Sequence, residues 1–294
     1  MKAKKIIVLM TIVCMLFGLV ACGKEQTDTN GDNISVDTND DKVILDVGVD
    51  TDAKANEDYF TWDENNYITG VTDEGNKQGT LLIPARCEGI NPMVFYNSSE
   101  LQYVSFEDED DVDLAGAFAG APSLISVKLP ENLKVIGQDC FGNCDQLKEI
   151  TIPRNVESIE KGAFEVCDHL VSVTFEGTSV KTIGKRSFSY CSSLTEVNIP
   201  SGVTTVEESA FEDCSSLSKI LLPDSLKDIG KLAFANTNLS ELHFPEKIDL
   251  TNMDSTAFGM NTYDMTVYIV KDSWCDQNQD VWNKDQLFGE IKYE

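Results

Sequence analysis

The side chains able to do chemistry are few in kind and regular in spacing. The 294 residues include nine Cys, two His and fifty Asp plus Glu against twenty-three Lys plus Arg. Four of the thiols, Cys144, Cys167, Cys191 and Cys214, recur at intervals of 23 or 24 residues. A reactive thiolate needs a base or cation beside it, and a zinc site wants Cys or His ligands a few residues apart. This interval supplies neither. Ser98, Ala121, Thr237 and Asn261 take the same place in other units, so small size is the shared property and the position reads as packing. His169 falls in a polar loop before Leu170, and neither a Gly-rich phosphate loop nor a Ser elbow is found. No catalytic residue and no cofactor are assigned. The densest charge is Glu107-Asp108-Glu109-Asp110-Asp111-Val112-Asp113, six carboxylates in seven positions. Calcium takes six to eight oxygens, but the run has no Gly turn and no EF-hand spacing, so it reads as a solvated loop and no metal is assigned.

What must position these groups is a repeat. Phe95, Phe118, Phe141, Phe164, Phe188, Phe211, Phe234 and Phe258 are separated by 23 or 24 residues throughout. Units this short cannot bury an apolar face alone and are stable only when stacked, as in a solenoid. One unit runs Leu147-Lys-Glu-Ile150-Thr-Ile152-Pro153, then Val156 and Ile159, then Gly162-Ala163-Phe164-Glu-Val-Cys167-Asp-His-Leu170. The alternation Leu-x-x-Ile-x-Ile predicts a strand ended by Pro. Val-x-x-Ile-Gly turns the chain, and the apolar spacing of three around Phe predicts a short helical turn that drops the ring into the core. The strands are expected to add into one parallel sheet.

The ends differ from the body. Lys2, Lys4 and Lys5 precede an apolar run from Ile6 to Val20 and then Leu19-Val20-Ala21-Cys22. That run is short for a bilayer span and predicts a secretory signal over residues 1–21. The last four residues resemble a bacterial lipobox, which implies cleavage before Cys22, a diacylglyceryl thioether on its sulfur and a membrane anchor there, outside the cytoplasm. Removing the three Lys takes the net charge from −27 to −30. So acidic a chain disfavours nucleic acid as a partner. Residues 23–58 hold eleven acids against three Lys and predict, with Cys22, a disordered tether over 22–58. With Cys14 in the leader and Cys22 lipidated, seven thiols remain, an odd number. Stacked strands lie about 4.8 Å apart, which holds aligned Cβ atoms slightly beyond disulfide range and predicts a ladder of free thiols.

A stack also needs lids. Tyr59 to Ile83, with short aromatic and β-branched runs, is assigned as the N-terminal cap (59–83), the repeats as 84–262, and the rest as the C-terminal cap (263–294). In the latter, Ser273 is placed to N-cap a helix on which Trp274, Val281 and Trp282 share one face. The Ile-Pro step, Ile-Gly turn, Ala-Phe pair, Cys and Leu together resemble the BspA-type, or Treponema-pallidum-type, leucine-rich repeat over about residues 60–294. That resemblance implies a right-handed solenoid of about eight repeats on a bacterial surface or secreted protein, several of whose relatives are adhesins, and it brings no catalytic residues.

The remaining place for function is the outward face of the sheet. Strand alternation puts Thr151, Thr174, Asn198, Leu221 and His243 in one outward column, and Glu149, Glu196 and Lys219 in a second. Nine strands would make a face about 38 Å long, near the size of a protein interface. The expected function is therefore that of a surface lipoprotein binding a macromolecule, preferably protein, without catalysis. A glycan-binding or cell-wall module, or a structural spacer, stays open; against glycan stands the scarcity of outward aromatics, with only Tyr103 and Tyr268 available to stack on sugars.

Overall fold

The structure is a computed structural model that describes residues 56–259, 265–283 and 288–294. Two short strands, β1 (Phe60–Trp62) and β2 (Tyr67–Val71), form an antiparallel pair at the N-terminal end. They are followed by β3 (Thr80–Ile83), β4 (Gly89–Ile90), β5 (Tyr103–Phe106), β6 (Ser126–Val127), β7 (Val135–Ile136), β8 (Glu149–Ile152), β9 (Ser158–Ile159), β10 (Ser172–Phe175) and β11 (Thr182–Ile183). The series continues through β12 (Glu196–Asn198), β13 (Thr205–Val206), β14 (Lys219–Leu221), β15 (Asp228–Ile229), β16 (Glu241–Phe244) and β17 (Asn252–Met253). It closes with β18 (Thr266–Ile269), α1 (Trp274–Gln277), α2 (Gln279–Trp282) and β19 (Glu290–Tyr293). The central coils, from β6 to β17, each contribute one strand to each of two parallel ladders. The chain is thus the expected parallel solenoid, with little helix. No helix among the described residues is long and apolar enough to cross a membrane.

The two ladders are unequal. The continuous one is the second, in the order β7-β9-β11-β13-β15-β17, built from two-residue strands too short to show an alternating pattern in the sequence. The first, expected as one sheet, is divided into β3-β5-β6, β8-β10, β12-β14 and β16-β18-β19. Two of its breaks fall beside irregular repeats. After β10 one extra residue lies between Phe175 and Val180, and before β16 one residue is lost between Phe234 and Leu239. The extra residue is accommodated by the next coil at Gly202, where any Cβ would collide with the Thr178 carbonyl.

Between the ladders, the turn around each Phe is a third set of hydrogen bonds. The N–H groups of Asp139, Phe141 and Asn143 donate to Lys161, Ala163 and Glu165 carbonyls of the next coil at 3.0, 2.7 and 2.7 Å. Intervening N–H groups, such as those of Gly142 and Cys144, close back on carbonyls three residues earlier. That pattern needs left-handed backbone two residues before and two after the Phe. These places are held by Asp139 and Asn143 (φ 52° and 58°), by Gly162 and Val166 (65° and 61°), and by Arg186 and Tyr190 (56° and 62°). A left-handed residue reverses the peptide direction and stops a helix from propagating, so each turn ends after a single cycle. Seven successive Phe pairs stack with centroids 5.0 to 5.4 Å apart, and every ring is buried.

The C-terminal lid departs from expectation in one respect. Ser273 does cap α1, accepting from the Asp276 N–H at 3.3 Å. Asn278, with φ −127° and ψ 36°, then interrupts the helix. Trp282 is consequently buried against Phe244 and Phe288, whereas Val281 is exposed and does not share its face.

Candidate functional site

The outward face of the first ladder positions the residues selected from the sequence. Thr151, Thr174, Asn198, Leu221 and His243 are all exposed, while the residues on either side of them in their strands point into the core or are partly covered. Thr151 pairs in register with Thr174, and Asn198 with Leu221. In the second column Glu149 pairs with Ser172, and Glu196 with Lys219, whose Nζ lies 3.5 Å from the Glu196 carboxylate. Leu221, at 46% exposure, is the apolar exception in a polar column.

Beside Leu221 the face changes character. His243 on β16, Tyr268 on β18 and Lys292 on β19 lie in register on successive strands. The His243 and Tyr268 rings stack at 4.4 Å with 5° between planes, and Lys292 Nζ sits 5.8 Å from the far side of Tyr268. Glu294 reaches back so that its carboxylate lies 3.0 Å from His243 Nδ1, and Lys292 pairs with Glu290 at 2.9 Å. The sequence placed His243 in the column and offered Tyr268 as an outward aromatic, but did not bring Lys292 or Glu294 to them. The alternating Val267-Tyr268-Ile269 and Glu290-Ile291-Lys292 were the available signal; their register needs the intervening lid.

The other chemical candidates are occupied structurally. Cys144, Cys167, Cys191 and Cys214 are free and buried, and each Sγ donates to the carbonyl of the preceding coil's Phe at 3.0 to 3.2 Å. Burial pushes the Cys144 and Cys214 thiols up to about 12 and raises Cys167 and Cys191 well above the usual range. Such thiols stay protonated at neutral pH. In the acidic run the carboxylates turn to different neighbours. Glu107 accepts from the Ala85 N–H, Asp111 from the Lys134 N–H, and Glu109 from both Lys128 Nζ and the Glu131 N–H. Among the described residues no group of three or more His, Cys, Asp or Glu is gathered as for a metal ion. An open groove of about 620 Å³ on the second ladder is lined by Thr205, Asp228, Asn252 and their neighbours. Asp228 there accepts from both Thr205 (3.3 Å) and Asn252 (2.8 Å), so this polar ladder satisfies itself. Cys22 lies outside the described residues.

Comparison with known proteins agrees with this architecture. The family model described as the BspA type leucine rich repeat region matches in six copies over residues 75–194 and 161–273. A leucine-rich repeat protein from Bacteroides ovatus ATCC 8483 is similar in structure, with 27% identity and a TM-score of 0.59 over 70% of this chain. The chain spans about half, 53%, of that protein's length. The T. pallidum leucine rich repeat protein is similar at 26% identity and a TM-score of 0.54, over 62% of this chain and 87% of its own. No curated protein matches. Since the repeat model covers more than half of the residues and the Phe and thiol ladders realise its register, the chain belongs to the BspA type leucine-rich repeat family.

Proposed function

We propose that the outward face of the first ladder docks a protein partner, on a chain anchored through lipid at Cys22 and displayed outside the cytoplasm of a bacterium. The observation that carries the docking face is the ridge of Leu221, His243 and Tyr268, apolar or aromatic side chains on three successive strands, set in a polar surface. Binding energy concentrates in such clusters, where stiff aromatic side chains lose little entropy on contact. Size supports the reading. The four sheets of this face contain three, two, two and three strands, giving roughly 43 Å of length at about 4.8 Å per strand. With a width of roughly 20 Å this matches the ~800 Å² that one partner contributes to a specific interface. Protein is favoured over glycan because the His243 and Tyr268 rings spend their faces on each other and leave their edges outward, whereas a sugar stacks on an open ring face. Binding without catalysis fits a chain whose described ladder thiols are held protonated.

The test separates binding from stability. Leu221→Arg and Thr174→Arg should weaken capture of the partner by tenfold or more, while the melting temperature stays within about 2 °C, since neither side chain packs inside. Unfolding of these variants, or undiminished capture, would refute the assignment of the face. For the anchor, Cys22→Ala should end lipid labelling and release the chain from membranes; a variant that still sediments with them would refute the lipid attachment.

A further inference from the structure

We infer that Glu149 receives an arginine side chain of the protein partner, an inference that rests on the docking face proposed above. Glu149 opens β8 near the middle of the face, half-buried, with Ser172 paired to it in register on one side and Ser126 in the same column of the preceding coil. Among the described residues its carboxylate has no hydrogen-bond or ion-pair partner. The lysines of the face are committed elsewhere. Lys128, the cation of the neighbouring coil, is turned to Glu109 at 2.8 Å, Lys219 lies 3.5 Å from Glu196, and Lys292 lies 2.9 Å from Glu290. Glu241, in the same column, is exposed and keeps its water.

A carboxylate that is partly stripped of water and given no counter-charge destabilises the free protein slightly. Burial alone pushes the Glu149 carboxyl above its ordinary value, with no neighbouring cation to oppose it. That cost disappears once a cation arrives. A guanidinium fits better than an ammonium, because its planar fork can donate twice to the carboxylate and still direct N–H groups sideways. Ser172, paired with Glu149 one strand away, and Ser126, in the same column of the preceding coil across the break between β6 and β8, offer hydroxyls on either side of it to such groups. The net charge of −27 draws basic surfaces to the molecule as a whole.

The experiment uses the full chain and a capped pentapeptide of alternating threonine and valine with arginine, lysine or citrulline at its centre. Citrulline keeps the shape and removes the charge. The wild type is expected to prefer the arginine peptide over the citrulline peptide by about tenfold, with lysine between them. Glu149→Gln should abolish that preference, leave the citrulline affinity unchanged and keep or raise the melting temperature, and Glu149→Asp should reduce the preference by shortening the reach. Absence of an arginine preference in the wild type, or its survival in Glu149→Gln, would overturn the inference. The docking face itself is judged separately: if Leu221→Arg weakens capture of the partner by tenfold or more while Glu149→Gln does not, only the guanidinium assignment fails.

Discussion

Phe164→Ala removes the central ring of the stack, and its cost can be worked from the neighbours. The ring is fully buried between Phe141, at 5.2 Å, and Phe188, at 5.0 Å. Large-to-small changes of a buried Phe cost about 3 to 5 kcal/mol, the spread depending on how far the site can collapse. Here collapse is opposed on both sides. The coils above and below are held at fixed spacing by the Phe141 N–H to Ala163 and Phe164 N–H to Ser187 hydrogen bonds, both 2.7 Å. The void therefore persists, and the upper part of the range, about 4 to 5 kcal/mol, is expected. For a folded body of this size about 1 kcal/mol moves the melting temperature by 2 to 4 °C, so the midpoint should fall by roughly 8 to 20 °C. Thermal and urea unfolding followed by circular dichroism measure this, and the urea slope reports whether the array still unfolds as one unit. A shift below about 3 °C with an unchanged slope would refute the reasoning, because it would mean that the ring is not enclosed.

Two further perturbations address the turns and the thiols. Val166 is a β-branched residue at φ 61°, where the equivalent residues of other coils are Asn143 and Asn236, both at 58°. Val166→Asn should stabilise by about 1 kcal/mol, seen as a higher urea midpoint; a lower midpoint would show that Val166 contributes more by packing than it costs in backbone strain. The ladder thiols carry raised pKa values, so the fold keeps them neutral while the unfolded chain ionises them from about pH 8.5. Stability from this source is complete below that pH and is lost as pH rises toward about 12, on the order of 1.4 kcal/mol per pH unit for each thiol. Urea midpoints from pH 7 to 10.5 should fall above pH 9, less steeply in Cys214→Ala; equal slopes in the two proteins would contradict the burial argument.

The solenoid, its Phe core and its thiol positions were determined by the sequence itself, because a 23-residue period repeats the same local choices and each coil packs on a near-copy of itself. The outward placement of Thr151, Thr174, Asn198, Leu221 and His243 followed likewise, since strand alternation is a local property of the backbone. Tertiary structure decided the rest. Left-handed turn positions are occupied by Asp139, Val166, Arg186 and Tyr190 as readily as by Gly162, because hydrogen bonds between coils, and not residue identity, set their φ. The stack of His243 on Tyr268, closed by Glu294, joins residues 51 positions apart through a lid whose register no local pattern specifies. Glu149 reads as one outward acid among several until the fold shows Lys128 drawn away to Glu109, 19 residues earlier. Whether a charge has a partner depends on which side chains the coils bring within reach, and that is a property of the assembled stack.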